Sequence, residues 1–301
     1  MKLAHSPITQ HTFNDIAFYL KRDDQLHPTF SGNKARKFTS ELYDNDTTVK
    51  TLISYGSIQS NSMYSLAALA ALKGWAFEFY VTAIPKWLRK NPIGNYRAAL
   101  ELGTQFTEVG KDTSSFEYYL KTVRQPDNSC KIIPEGGHYP KSELGIQQLA
   151  EEIIDWFNVQ EFTKLTVALP SGTGTTSLYL HKHLKGHSID VLTCPTVGDK
   201  HYLIEQFQEL GEESYPNIIT PSKKFYFGHL YPEFLDIWHQ LKQSTQVEFE
   251  LLYDPMMWLC LQEYQKTFND EHALLYIHQG GLLGNESMLP RYRRGGFTPN
   301  E

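Results

Sequence analysis

"TVKTLISYGSIQSNSMYSLAALAALKGWAFEFYVTA", residues 48–83, carries a full strand–helix–strand alternation in one stretch. The β-branched run ending at Gly56 predicts a buried strand that leads into a loop. "NSMYSLAALAALKGW" predicts a helix with Met63, Leu66, Ala67, Ala70 and Ala71 on one stripe and Gly74 as its stop. "AFEFYVTA" (76–83) predicts the next strand. A strand, a crossover helix and a second strand form a βαβ unit, and such units build parallel sheets covered on both faces.

The same alternation continues along the chain. "NPIGNYRAALELG" predicts a helix with Pro92 in its first turn and Gly103 at its end. "CKIIPEGG" (130–137) predicts a strand entering a glycine-rich turn, followed by a helix over "ELGIQQLAEEIIDWF". "KLTVALP" (164–170) is a strand, "SGTGTTS" (171–177) a loop and "LYLHKHLKG" a helix. "IDVLTCP" (189–195) and "ALLYIHQGG" (273–281) supply further strands. The expected class is α/β, with functional residues in loops at the carboxyl ends of the strands. The chain shows no internal repeat and no Pro/Ser linker, so two domains would be interleaved.

The 301 residues suffice for a substantial core, and 41% hydrophobic with 21% charged residues is an ordinary globular balance. A net charge of -6 without a long basic run argues against nucleic acid as a partner. No stretch approaches the roughly 20 apolar residues that span a bilayer, and "MKLAHSPITQH" lacks a secretory apolar run. The cysteines, Cys130, Cys194 and Cys260, are odd in number and far apart. That pattern argues against a disulfide framework, so a cytoplasmic location and no membrane association are expected.

Three stretches can carry chemistry. In "SGTGTTS" the glycines admit close backbone approach by an anion, the following helix start offers free N–H groups, and threonines add hydroxyls. Ser177 stands where a dinucleotide fingerprint needs its third glycine, and no lysine completes a P-loop, which leaves a single phosphate or a bare βα turn. In "YGSIQSNSMYS" (55–65), Ser60 and Asn61 precede the helix, where one side chain can cap while another reacts. In "TFSGNKARKF" (29–38), Lys34 follows a Ser-Gly-Asn turn. Lys34 is either a surface charge or an amine held to react with an aldehyde. A cradle for one phosphate, a lysine on a rigid turn and a Ser-Asn pair at a helix start together suit pyridoxal 5'-phosphate, which has one phosphate, one aldehyde and one phenolic oxygen.

The motifs "KRDD" (21–24), "SGNKARKF", "GSIQSNSMYSLAALAALKG", "IPEGG" (133–137), the glycine–threonine loop, "YDP" (253–255) and "HQGG" (278–281) run in a family's order over nearly the whole chain. The chain resembles the 1-aminocyclopropane-1-carboxylate (ACC) deaminase / D-cysteine desulfhydrase family, within the tryptophan-synthase-β-like group of pyridoxal phosphate enzymes. The resemblance implies two interleaved domains with twisted, mostly parallel sheets. A large discontinuous domain would comprise 1–48 and 160–301, and a small α/β domain 49–159. It implies that Lys34 is the Schiff-base lysine and moves the substrate proton, with Ser60 and Tyr231 assisting. Asn61 would meet the phenolic oxygen, and Gly172, Thr173, Gly174, Thr175 and Thr176 would hold the phosphate. The amides near Ser60, Asn61 and Ser62 would seat the carboxylate of a small amino-acid substrate. A homodimer is implied.

Two departures stand out. "DPMMWLC" puts Met257 where the family has a catalytic tyrosine and Trp258 where a side chain meets the pyridine nitrogen, and "HQGG" puts Gln279 at a further variable position. A missing phenol removes a group of the kind that contributes ~10²- to 10⁴-fold. ACC has no α-proton, so its ring opening leans on such helpers more than β-elimination does. The reading is therefore a lyase or deaminase giving a 2-oxo acid and ammonia, with D-cysteine-type β-elimination favoured over ACC ring opening. The alternative is a cofactor-binding protein with lost or altered chemistry, either a non-enzymatic binder or a racemase.

Other features are expected to be structural. His181 and His183 lie about 200° apart on a helix and cannot share one metal, so no metal site is expected. The tail "RYRRGGFTPNE" is expected to be solvated or an oligomer contact, and "FYFGHLYPEFLDIW" to be core apart from Tyr231. Glu135 is either a carboxylate near the cofactor or part of a turn. Arg36 and Lys37 are expected only to pack and solvate the lysine turn.

Overall fold

The computed structural model describes residues 3–111, 113, 115–264 and 271–299. Its strands fall into two sheets. Strands β1 (Ile8–Phe13) and β2 (Ile16–Lys21) form an antiparallel hairpin. Its turn, Asn14–Asp15, has both residues at positive φ, 48° and 62°, a conformation that Asn and Asp tolerate and two-residue hairpins require. The second sheet opens with β3 (Thr51–Tyr55), β4 (Ala76–Val81), β5 (Gln105–Glu108) and β6 (Cys130–Ile132), all parallel, in the order β5-β4-β3-β6. The chain then returns to the first sheet with β7 (Lys164–Ser171), β8 (Ile189–Pro195), β9 (Asn217–Ile218) and β10 (His272–Ile277). That sheet has the order β1-β2-β10-β7-β8-β9 and is parallel except for the hairpin. The α/β class with mostly parallel sheets is thus observed. Strand β7 is buried at every residue after Lys164, as a central parallel strand with both faces covered must be.

The helix Asn61–Lys73 ends at Gly74, whose φ of 69° is the left-handed stop that glycine supplies without strain. It is buried on more than the expected stripe: Ala68 and Leu69 are interior, and Ala71 is exposed. It packs with Leu52, Phe77 and Phe79 of the four-stranded sheet and Tyr96 and Ala99 of the helix Gly94–Glu101. Pro92 lies outside that helix, before its cap Ile93. The loop after β7 is shorter than expected, because Thr175 already opens the helix Thr175–Leu184. The aromatic segment near 225–238 is only partly core, with Tyr226 and Phe227 exposed. Among the described residues, no helix is long and apolar enough to cross a membrane.

Candidate active site

The turns after β3, β6, β7 and β10 follow the carboxyl ends of parallel strands, where α/β sheets bind ligands. The lysine helix, Gly32–Lys37, presses into them. Gly32 has φ 66°, and a Cβ there would lie 1.9 Å from the Gln279 carbonyl oxygen, so only glycine permits this approach. Asn33 donates its backbone N–H to that carbonyl at 3.1 Å and its side-chain amide to Gln279 Oε1 at 2.9 Å. Gln279 Nε2 donates in turn to the Pro170 carbonyl at 2.8 Å. One side chain therefore ties the lysine helix to the ends of β7 and β10.

Lys34 Nζ donates to the Gly136 carbonyl at 3.0 Å, and Lys37 Nζ donates to the same oxygen at 3.0 Å. Burial lowers the Lys34 pKa to about 8, opposed in part by the Glu135 carboxylate and by Lys37. Lys37 is lowered well below the ordinary lysine value, by burial and by the Lys34 charge. Lys37 also reaches Thr173 Oγ1 at 3.4 Å. The expectation that Lys37 and Arg36 solvate the turn is wrong. Arg36 is fully buried and grips Asp23 and Glu152, at 2.8–3.0 Å and 2.6–3.0 Å respectively. Lys21 bonds Glu152 at 2.6 Å, and Ser6 Oγ donates to Asp23 at 2.6 Å. Arg36 thus anchors the lysine helix from beneath, because a buried charge is tolerated only when it is paired. Glu135 is exposed at its turn, yet its carboxylate overlies Gly56, where a Cβ would meet Oε1 at 2.5 Å.

Ser60 is the N-cap of the helix Asn61–Lys73, its Oγ accepting from the Ser62 and Met63 N–H groups at 3.1 and 3.3 Å. Asn61 opens that helix against Gly281, where a Cβ would come within 2.6 Å of Asn61 Nδ2. Ser62 Oγ is buried and has no hydrogen-bond partner. In the glycine–threonine loop, Gly174 has φ 70°, and a Cβ there would meet Phe207 at 2.4 Å. Thr173 and Thr175 hydroxyls lie 3.3 Å apart, and His138 Nδ1 stands 3.2 Å from Thr175 Oγ1. Thr176 Oγ1 is buried without a partner. The helix behind supplies unpaired N–H groups and the positive end of its dipole.

The two departures near 257 resolve differently from the expectation. The helix there begins at Asp254, so Met257 and Trp258 lie within it, fully buried. Trp258 stacks on Tyr276 at 4.9 Å and meets Phe18 edge-on at 4.6 Å, inside the core of the six-stranded sheet. Neither residue faces the lysine. The phenol at the site comes from Tyr253, just before the helix, whose ring would lie 3.6 Å from a Cβ on Gly172. Beside it Glu250 is buried, with Oε2 accepting the Leu252 and Tyr253 N–H groups at 2.7 Å and Oε1 unpartnered. Gly281 and Gly284 leave room for that carboxyl near Asn61. Burial pushes the Glu250 carboxyl well above the carboxylate range. Tyr231 sits in an aromatic group with Phe225 and Phe234, its Oη accepting the Tyr226 N–H at 3.0 Å. These contacts do not include the lysine helix or the glycine–threonine loop. His181 and His183 turn to Ser214 and Glu143 respectively, each at 2.9 Å.

The residues fit pyridoxal phosphate. Two lysine amines, that of Lys37 buried and that of Lys34 half-buried, converge near a helix start with an orphaned threonine hydroxyl, which is the chemistry a phosphate monoester needs. Sequence reasoning missed Lys37, Glu250 and Tyr253. The motif "GNKARK" held the signal for Lys37, since a residue one helical turn beyond Lys34 shares its face.

No family model matches the chain. A Thermotoga maritima protein provisionally named 1-aminocyclopropane-1-carboxylate deaminase is 24% identical over 283 residues, covering 88% of this chain and 89% of that protein. The mitochondrial bifunctional D-cysteine desulfhydrase/1-aminocyclopropane-1-carboxylate deaminase of Arabidopsis thaliana is 22% identical over 94% of this chain and 78% of that protein. Among solved structures, an ACC deaminase homologue superposes with a TM-score of 0.75 at 19% identity, covering 97% of this chain and 95% of that one. Likeness in sequence and in fold along most of the chain converges on one group, and the chain is similar to the ACC deaminase / D-cysteine desulfhydrase proteins, with the fold of their solved homologue.

Proposed function

We propose that the chain is a pyridoxal-phosphate-dependent lyase that releases ammonia and a 2-oxo acid from a small amino acid. The observation that carries this reading is the Lys34 amine, lowered to about 8 by burial and held 3.0 Å from the Gly136 carbonyl beside the glycine–threonine loop. Bound pyridoxal phosphate supplies an electron sink that acidifies the substituents on the substrate Cα. Lys37, Thr173, Thr175, Thr176 and the helix start would hold its phosphate, Asn61 its phenolic oxygen and Lys34 its aldehyde carbon. Lys34, once its amine is free, takes the α-proton, and its lowered pKa keeps a working fraction neutral near pH 8. The N–H groups at the start of the helix Asn61–Lys73 orient the substrate carboxylate, with Ser60 and Ser62 hydroxyls beside it. With D-cysteine the products would be pyruvate, ammonia and sulfide.

A second reading, ring opening of ACC to 2-oxobutanoate and ammonia, gains from Tyr253. Met257 offers no phenol, but the Tyr253 phenol stands against Gly172. Incubating the pyridoxal-phosphate-loaded protein with D- and L-cysteine, D- and L-serine and ACC, while following sulfide, ammonia and each 2-oxo acid, separates the two. Sulfide from D-cysteine supports the first reading, and 2-oxobutanoate from ACC the second. A loaded protein that releases no 2-oxo acid from any of them sinks both.

A further inference from the structure

The amide of Asn61 is nearly symmetric in shape, and only its hydrogen bonds decide which end faces the cofactor. Asn95, 1% exposed at the start of the helix Gly94–Glu101, makes that choice. Its Nδ2 lies 2.9 Å from the Gln59 backbone carbonyl and 2.7 Å from Asn61 Oδ1. A carbonyl can only accept, so the Asn95 atom beside Gln59 must be the NH₂ group. The same NH₂ is a donor toward Asn61, which must therefore present its oxygen to Asn95. The Asn61 NH₂ is left facing the opposite way, against Gly281, where even a methyl group would come within 2.6 Å of it. Asn95 is itself held in place. Gln59 Nε2 donates to the Ile93 carbonyl at 3.2 Å, and the Gly94 N–H donates to Glu286 at 3.1 Å.

We infer that Asn95 is a positioning residue that locks Asn61 as a hydrogen-bond donor toward the phenolic oxygen of the cofactor. The inference rests on the function proposed above. Without Asn95, Asn61 can turn its oxygen inward, and two acceptors then oppose each other across the site. The bond at stake is a donor to a phenolate, which is worth more than a neutral hydrogen bond.

The test uses the full-length protein with Asn95→Asp and Asn95→Leu, each made alone and in an Asn61→Ala background. Pyridoxal phosphate binding is measured by titration, together with the ratio of visible to near-ultraviolet absorbance of the bound cofactor and the thermal midpoint. Asn95→Asp is expected to weaken cofactor binding about ten- to a hundredfold, since its carboxylate accepts from Asn61 and turns the oxygen to the site. Asn95→Leu should weaken it less, and both should shift absorbance toward the near-ultraviolet. In the Asn61→Ala background neither should change affinity or spectrum further, whatever happens to the thermal midpoint. Wild-type affinity and spectrum in both single variants, or equal losses with and without Asn61, overturn the role of Asn95. A wild-type protein that takes up no pyridoxal phosphate overturns the functional reading itself.

Discussion

Lys34 and Lys37 share one carbonyl, and burial depresses both amines, with the Lys34 charge lowering Lys37 as well. Only a neutral amine attacks an aldehyde, so attachment of pyridoxal phosphate to the cofactor-free protein should speed up with pH and reach half its maximum near pH 8. The growth of the visible band after mixing measures this, and Lys34→Met should abolish both the band and its trapping by borohydride. The same shift has a consequence for stability. The unfolded lysine, at 10.5, binds a proton that the folded one gives up from about 8, so this group makes the folded protein more stable as pH rises across that window. Thr176 offers a second test at this scale. Its buried hydroxyl has no partner, so Thr176→Val should stabilise the cofactor-free protein by about 1–3 kcal/mol while weakening cofactor binding roughly tenfold. Denaturant midpoints and cofactor titrations read the two effects separately. Loss of stability on substitution would mean that the hydroxyl is already satisfied.

The lysine helix is only six residues long and cannot hold itself. Its position comes from Arg36 below and from two close glycine approaches, one at Gly32 within it and one on a helix pressed against it. Gly145, in the helix Glu143–Phe157, makes the second, because a Cβ there would lie 2.0 Å from the Arg36 carbonyl oxygen. Gly145→Ala should cost about 1–3 kcal/mol, read from the denaturant midpoint, and should loosen cofactor binding as the helix is pushed out of place. Arg36→Met leaves the buried Asp23 without its cation and Glu152 with Lys21 alone, and should cost about 3–5 kcal/mol. Burial alone would raise the Glu152 carboxyl, but the bonds from Arg36 and Lys21 hold it at about 2. Its contribution is therefore complete above pH 4.5 and fades as pH falls toward 2. The sequence could reveal Lys34 because the turn chemistry around it is local. It could not reveal Arg36 as an anchor, because Glu152 lies 116 residues away and Asp23 on another element. Charge spacing alone cannot distinguish a solvated cation from one whose partner arrives from a distance.

At the scale of the molecule, the parallel strands could be read in advance because each is an apolar run between a helix and a turn. Apart from β2, the strands that escaped notice lie at sheet edges, and two of them are short. β5 has four residues and β9 two, below the length at which a pattern can register. The β1–β2 hairpin carried a usable signal in Asn14–Asp15 that went unread. Met257 and Trp258 were misplaced for a different reason: the helix starts at Asp254, so these residues turn one helical turn deep into the core. A site assembled from the loops of both sheets should also report on the whole fold. Pyridoxal phosphate at about 100 times its dissociation constant should add about 2.7 kcal/mol, a rise in Tm of several degrees that Lys34→Ala largely removes. An unchanged melting temperature in the wild type would mean that these loops do not form one binding site.

Strand β2, residues 16–21, has β10, residues 272–277, as its parallel neighbour. A growing chain therefore makes this hairpin with its inner edge open until β10, far downstream, is made. The lysine helix, residues 32–37, is made soon after that hairpin ends at Lys21, yet the Gln279 staple that seats it lies 246 residues beyond Asn33. Seating of the lysine helix thus waits for the segment around Gln279, and a product stalled before that segment would expose a bare strand edge.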